Sequence, residues 1–219
     1  MPHGIPVLFW DVDTQIDFMR PEGKLYVPEA ETLEHNLKIL NRLAHEHHIP
    51  IVASADDHTL ADAEISDTPD FKVTYPPHCL TGTEGAEKIE ATRLERPFIV
   101  GHEPLPAAEI EKALAQGTPR ILILKRTTNV FSNPNTEAIL EHLDPQRVVV
   151  YGVALDICNR RAVEGLWSRG YRKLEVVLDA TKPIDTALAE ELLESWRERG
   201  IELVTTRQVV DEVSAVHAR

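Results

Sequence analysis

Four side chains able to do chemistry fall at the ends of β-rich runs in this sequence. Asp13 closes one run, with Gln15 and Asp17 after it, and Asp56 closes a second, with His58 after it. Lys125 closes a third, and Cys158 follows Gly152-Val153-Ala154 in the first turn of the helix after a fourth. In an open parallel α/β sheet, ligands bind beyond the carboxyl ends of the strands, so a carboxylate, a carboxylate–imidazole pair, an amine and a thiol emerge at one edge. A purely structural sheet needs no such set. A thiol in a first helical turn meets the positive end of the helix dipole, which favours thiolate, and a nearby Lys125 ammonium favours it further. Asp13 is then placed to take the thiol proton, giving nucleophile, base and electrostatic partner. An inert thiol packed between helix and sheet explains Cys158 alone, but not its coincidence with Asp13 and Lys125.

A second cluster comprises Asp56-Asp57-His58, Glu64 and His78. Asp56 and His58, two apart, project from an extended strand end toward one point, and two prolines stiffen the approach of His78 in Tyr75-Pro76-Pro77-His78-Cys79. Two imidazoles and a carboxylate with an open position suit Zn²⁺ or Fe²⁺, with Glu64 as an extra donor. Spacing alone also fits solvated loop residues. His45-Glu46-His47-His48 lacks an i, i+4 pair and reads as a solvated helix end, where cationic imidazole suits the dipole. Cys79 reads as a packed thiol. The sequence has no Gly-x-Gly-x-x-Gly and no phosphate-cradling loop, so nucleotide binding has no support.

The elements that must position these groups alternate along the chain. Strand candidates are Val7–Asp13, Ile49–Asp56, Arg120–Lys125, Arg147–Ala154, Lys173–Ala180 and Ile201–Thr205, with Phe98–Gly101 a weaker seventh. Several are nearly continuous Val, Ile and Leu, as in parallel strands covered on both faces. Apolar periodicity predicts helices over Glu29–His47 and Asp185–Arg199, and turn signals bound others at Ala107–Gln116 and Asp156–Arg169. Asn133-Pro134 reads as the cap and first position of a helix running to about His142. The alternation predicts one doubly wound, mostly parallel sheet of about six strands with helices on both faces. All 219 residues then form a single domain, and residues 57–104, rich in Pro, Asp, Thr and Gly, form a site-building excursion.

Composition narrows the function further. Aliphatic residues must build the core, since aromatics are only 5%. A formal net charge of −13 repels phosphate backbones and anionic lipid heads, which disfavours nucleic-acid and membrane-surface roles. The two cysteines do not make a disulfide framework. The start of the chain lacks a signal-peptide pattern and no apolar run approaches a bilayer span, so a soluble cytoplasmic protein is expected.

The ordered set Asp13-Thr14-Gln15-Ile16-Asp17-Phe18, Asp56-Asp57-His58, Pro77-His78-Cys79 with Thr81-Gly82-Thr83, Lys125, and Gly152-Val153-Ala154-Leu155-Asp156-Ile157-Cys158 resembles the isochorismatase-like cysteine hydrolases, in their nicotinamidase-related branch. The resemblance implies a catalytic triad of Asp13, Lys125 and Cys158, and a divalent metal on Asp56, His58 and His78. Relatives differ in the next ligand, and Glu64 stands in its place here. Zn²⁺ is the first expectation, with Fe²⁺ and Mn²⁺ as alternatives. The resemblance also implies a cis peptide at Val153–Ala154, with the Ala154 and Cys158 N–H groups facing a developing oxyanion. The implied reaction is hydrolysis of a small carboxamide such as nicotinamide through a thioester, with Phe18 and Tyr75 walling the pocket. Relatives with this fold also hydrolyse other small amides, ureides or vinyl ethers, and a catalytically silent binding protein is a further reading. A homo-oligomer is compatible with the resemblance. Nicotinamidases carry Trp where this chain has Tyr75, and Gly where it has Arg126.

Overall fold

The computed structural model describes residues 4–217. Seven strands form one sheet, all paired parallel: β1 (Leu8–Val12), β2 (Ile51–Asp56), β3 (Phe98–Val100), β4 (Arg120–Lys125), β5 (Val148–Val153), β6 (Leu174–Lys182) and β7 (Glu202–Val204), in the order β3-β4-β2-β1-β5-β6-β7. The expected six strands become seven because the weak Phe98–Gly101 run does pair. It is an edge strand of three residues with Ile99 outward, so it carries little hydrophobic pattern.

Helices α1 (Ile16–Met19), α2 (Glu34–Glu46), α3 (Ala107–Leu114), α4 (Thr136–Leu143), α5 (Arg160–Ser168), α6 (Thr186–Glu198) and α7 (Thr206–His217) complete the layers. Alternate residues of the central strands feed two cores. Leu8, Trp10 and Val12 pack with α3, α4, α5 and α6, while Phe9 joins α2 and α7 on the other face. At about 25 cal/mol per Å² of apolar surface, such two-sided burial is the main force holding strand to helix.

Several expected boundaries shift for local reasons. The Glu29–His47 helix opens with a 3-10 turn at Ala30–Leu33, after Glu29 in the left-handed region at φ 61°. Asn133-Pro134 does not cap α4. The Asn133 amide donates to the carbonyls of Gly101 and Leu124, 2.8 Å each, tying the exits of β3 and β4 together, and α4 begins at Thr136. Asp185 does cap α6, accepting from the Leu188 N–H at 3.0 Å. The predicted Asp156–Arg169 helix divides into a π-helical turn at Leu155–Asn159 and then α5. Helix α7 was not expected, because among its residues of described burial only Val209 and Val213 are buried apolar side chains.

The 57–104 excursion is ordered by 3-10 turns at Glu84–Ala86 and Glu90–Thr92, by β3, and by isolated bridges Gln15–Lys88, His58–Leu80 and Ile65–Tyr75. Among the described residues no helix is long and apolar enough to cross a membrane.

Candidate active site

The chain leaves β1 at the centre of the sheet, winds outward through β2 to β4, and returns to β5 on the other flank of β1. The strand order therefore sets four neighbours, β4-β2-β1-β5, with their carboxyl ends side by side. Each contributes one of the groups singled out above. Asp56 and Lys125 are direct partners in the β2–β4 register, and Val12, just before Asp13, is paired with Gly152 of β5. That pairing brings β1 so close that a Cβ on Gly152 would lie 2.0 Å from the Val12 carbonyl oxygen. Only glycine fits there, at φ 106°.

Lys125 is buried at the centre. Its Nζ lies 2.9 Å from Asp13 Oδ2, contacts Asp56 Oδ1, and reaches 3.8 Å to Cys158 Sγ. Burial works against the ammonium, but Asp13, Asp56 and the thiol overrule it and hold its pKa well above the usual lysine value. Asp13 takes a positive φ of 47°, and its Oδ1 accepts from Ser54 Oγ at 2.6 Å. A lone hydroxyl inside an otherwise apolar β2, two residues before Asp56, was the signal for Ser54. It was not read.

Cys158 differs from expectation in environment, not place. It lies in the π-helical turn, and burial pushes its thiol pKa well above 9.0. Lys125 opposes that shift, but Asp13 and Asp56 add to it, so these surroundings favour the thiol over the thiolate. The helix dipole and one ammonium cannot offset dry surroundings and two carboxylates. The peptide before it, Val153–Ala154, is cis.

Donor atoms of Asp56, His58 and His78 all lie within 4.8 Å of one another, and all three side chains are buried. Asp56 Oδ2 stands 3.4 Å from His78 Nε2 and 3.7 Å from His58 Nε2. Burial disfavours the Asp56 charge, yet Lys125 and the imidazoles hold its pKa below the usual carboxylate range. His78 Nδ1 lies 2.7 Å from the Pro76 carbonyl, a contact that fixes the proton there and leaves Nε2 facing the cluster. Neither ring nitrogen of His58, a fully buried residue, has a hydrogen-bond partner. A divalent cation at this point fits, because it gives a buried imidazole the partner it lacks.

Glu64 stands apart from that group. It lines the same cleft, but its Oε2 accepts from the Thr128 N–H at 3.1 Å, and burial, with Asp56 nearby, raises its pKa. Asp57 points elsewhere, to His102 at 2.9 Å and Thr81 at 2.7 Å. Gln15 clasps the Asp56 backbone from both sides, donating to its carbonyl and accepting from its N–H, each at 2.7 Å. Cys79 is fully buried and its N–H donates to Asp17 Oδ2 at 2.7 Å.

The cleft over these groups has an empty volume of about 370 Å³, mouth included. Phe18 and Tyr75 flank His78, with ring centroids 5.4 Å and 6.2 Å away. Burial, and then the nearby Cys158, push the Tyr75 hydroxyl up to about 12, so it remains a neutral donor.

Fold and site together define an open parallel α/β protein with a thiol, a buried ammonium and a carboxylate–imidazole cluster in one cleft. The family model described as the isochorismatase domain matches residues 8–208, and the chain belongs to that family. It is 28% identical over 197 residues to the nicotinamidase/pyrazinamidase of Mycobacterium tuberculosis, covering 88% of this chain and 95% of that one. A pyrazinamidase of Pyrococcus horikoshii, solved in complex with zinc, superposes with a TM-score of 0.70 at 25% identity, covering 92% and 99%. An isochorismatase-like hydrolase from Alkaliphilus metalliredigens has the same fold, with a TM-score of 0.74 at 18% identity, covering 95% and 99%. Family and relatives support a hydrolase.

Proposed function

We propose that this protein is a metal-containing cysteine amidohydrolase that converts a small carboxamide to the acid and ammonia, in the manner of a nicotinamidase. One observation carries the reading: Cys158 lines a cleft together with Asp56 and His78 of the Asp56–His58–His78 cluster, and Lys125 reaches Cys158 and Asp13 from beneath it.

The thiol of Cys158 is the nucleophile. Its raised pKa means that the proton leaves during attack, to Asp13, whose other oxygen is held by Ser54. The Ala154 and Cys158 N–H groups are the proposed donors to the tetrahedral oxyanion. Asp13 then returns the proton to the leaving ammonia, and a thioester remains. Water, giving its proton to Asp13, attacks the thioester carbonyl; the C–S bond breaks, the acid leaves, and Asp13 returns the proton to the Cys158 sulfur. Lys125 stays charged throughout and offsets the charge that Asp13 and Asp56 bring into a dry site. Asp56, His58 and His78 would hold a divalent metal, with Zn²⁺ the first choice and Glu64, on the same cleft, a further candidate donor. When bound, the metal supplies a Lewis-acidic anchor for a ring nitrogen of the substrate. Phe18 and Tyr75 would sandwich a flat ring.

The decisive experiment measures ammonia release over a panel of carboxamides, including nicotinamide and pyrazinamide, with the metal content of the same sample. Cys158→Ala, Asp13→Ala and Lys125→Ala should each lower turnover by at least about 10³-fold, as for residues that act as one unit. Near-normal turnover in all three sinks the triad. Turnover lost on chelation but untouched by thiol alkylation would instead mark a metallohydrolase without a cysteine nucleophile.

A further inference from the structure

We propose that Ile184 is a specificity-determining residue of this cleft, locked to the nucleophile turn by Asp156, and that it selects neutral flat amides over amides carrying a carboxylate. The inference rests on the amidohydrolase reading above.

Ile184 lies between β6 and α6, outside the four strand ends that supply the chemistry, and it lines the cleft. It is 45% exposed, and because it stands on the cleft wall that exposed face is open to a bound ligand. Loop residues are ordinarily free to shift, but this one is not. The Asp156 carboxylate is buried and accepts from two successive backbone amides, Ile184 N–H at 2.9 Å and Asp185 N–H at 2.8 Å. Asp156 is two residues before Cys158 in the same π-helical turn. A second clasp comes from Asn159, whose amide donates to the Gly152 carbonyl at 2.8 Å and to Thr181 Oγ1 at 2.7 Å. Strand pairing of Gly152 with Thr181 and Val153 with Lys182 closes the unit. The outer wall of the cleft and its nucleophile therefore move as one body. An apolar contact at Ile184 is held at fixed range from the attacking sulfur, which is the condition for a side chain to sort substrates by fit.

The charges around that wall indicate what is sorted. Asp56, Glu64 and His78 face the cleft, and no Arg or Lys lines it among the described residues. Lys125 beneath is already taken by Asp13 and Asp56, and Arg126 leans toward Asp62 at 3.8 Å. Even with the Asp56 charge taken up by a bound metal, a substrate carboxylate at the Ile184 wall would give up its water and meet aliphatic surface with no Arg or Lys to receive it. A neutral ring meets none of these penalties and gains apolar contact.

The test compares nicotinamide with its carboxylated analogue, 5-carbamoylpyridine-3-carboxylate, on the metal-loaded protein. Ile184→Ala removes three aliphatic carbons from the pocket wall and should raise KM for nicotinamide at least about tenfold, with kcat nearly unchanged. Ile184→Arg should raise the ratio of kcat/KM for the carboxylated over the neutral amide at least about tenfold. Asp156→Ala should raise the nicotinamide KM as Ile184→Ala does, the double variant should add little to either, and Asp156→Asn should restore part of the loss. Wild-type protein active on nicotinamide whose ratio is unmoved by Ile184→Arg overturns the selection by Ile184. Wild-type protein inert toward every amide in the panel overturns the amidohydrolase reading itself, and the two failures are distinct. An Asp156→Ala variant with lowered thermal stability but an unchanged KM overturns the lock.

Discussion

Lys125 sets the electrostatic balance of the site, because it is the cation on which two buried carboxylates converge. Lys125→Met would leave Asp13 and Asp56 buried without the cation they share, and about 3–5 kcal/mol of stability should be lost, read as a lower denaturant midpoint. The same change removes the cation that opposes the high Cys158 pKa. Thiol alkylation of metal-free wild-type protein should be slow at pH 7 and still rise above pH 9, since the thiolate fraction grows only as pH approaches a raised pKa. A plateau below pH 7 would contradict that, and Lys125→Met should be slower still. Asp13, Asp56, Lys125 and Cys158 were legible in the sequence because each is a polar residue placed at or just past the end of an apolar run, where a parallel sheet exposes its ligand edge. The state of the thiol was not legible. It depends on how many carboxylates the fold packs around it, and Asp56 lies 102 positions before Cys158 in the chain. Ser54 escaped notice because one small hydroxyl inside β2 leaves no periodic trace.

Among the elements, the crossing of β1 and β5 is the tightest. Gly152→Ala puts a Cβ against the Val12 carbonyl and demands a backbone conformation that L-residues avoid. Backbone strain of that kind costs about 1–3 kcal/mol before any overlap is counted, so the variant should melt several degrees lower and lose turnover together. The turn at residues 70–74 gives a second test. Asp70 Oδ1 accepts from the N–H groups of Lys72, Val73 and Thr74, all at 2.9 Å, and this turn leads directly into Tyr75. Those donors hold the Asp70 pKa below the usual carboxylate value. With a depressed folded-state pKa, the contribution is complete above the unfolded value of about 3.9 and fades as pH falls through the folded one. Amide-exchange protection in this turn should therefore drop in acid, Asp70→Ala should abolish it at pH 7, and Asp70→Asn should retain much of it. Element types were largely readable from apolar runs and turn residues. Boundaries moved where a side chain made a distant bond, as Asn133 does to Gly101 and Leu124. β3 and α7 were faint because each buries so few side chains.

At the scale of the whole molecule, the two ends of the sheet are built differently. The carboxyl ends gather the reactive groups, while near the start of β5 Arg147 grips Glu175 through two bonds of 2.5 Å and also reaches Glu212 of α7 at 2.8 Å. Zinc added at a hundredfold excess over its dissociation constant should raise unfolding stability by about 2.7 kcal/mol, and His58→Ala should erase that gain. The chain order of the site groups carries a different consequence. Asp13, Asp56, His58 and His78 precede the exposed turn at Gly117, and Lys125 and Cys158 follow it. A polypeptide divided there yields two pieces, neither holding both a base and a nucleophile. To recover hydrolysis the second piece must thread β4 between β3 and β2 and lay β5 beside β1. Ammonia release from mixed halves would then serve as a reporter of interdigitation, silent until two separate molecules weave one sheet.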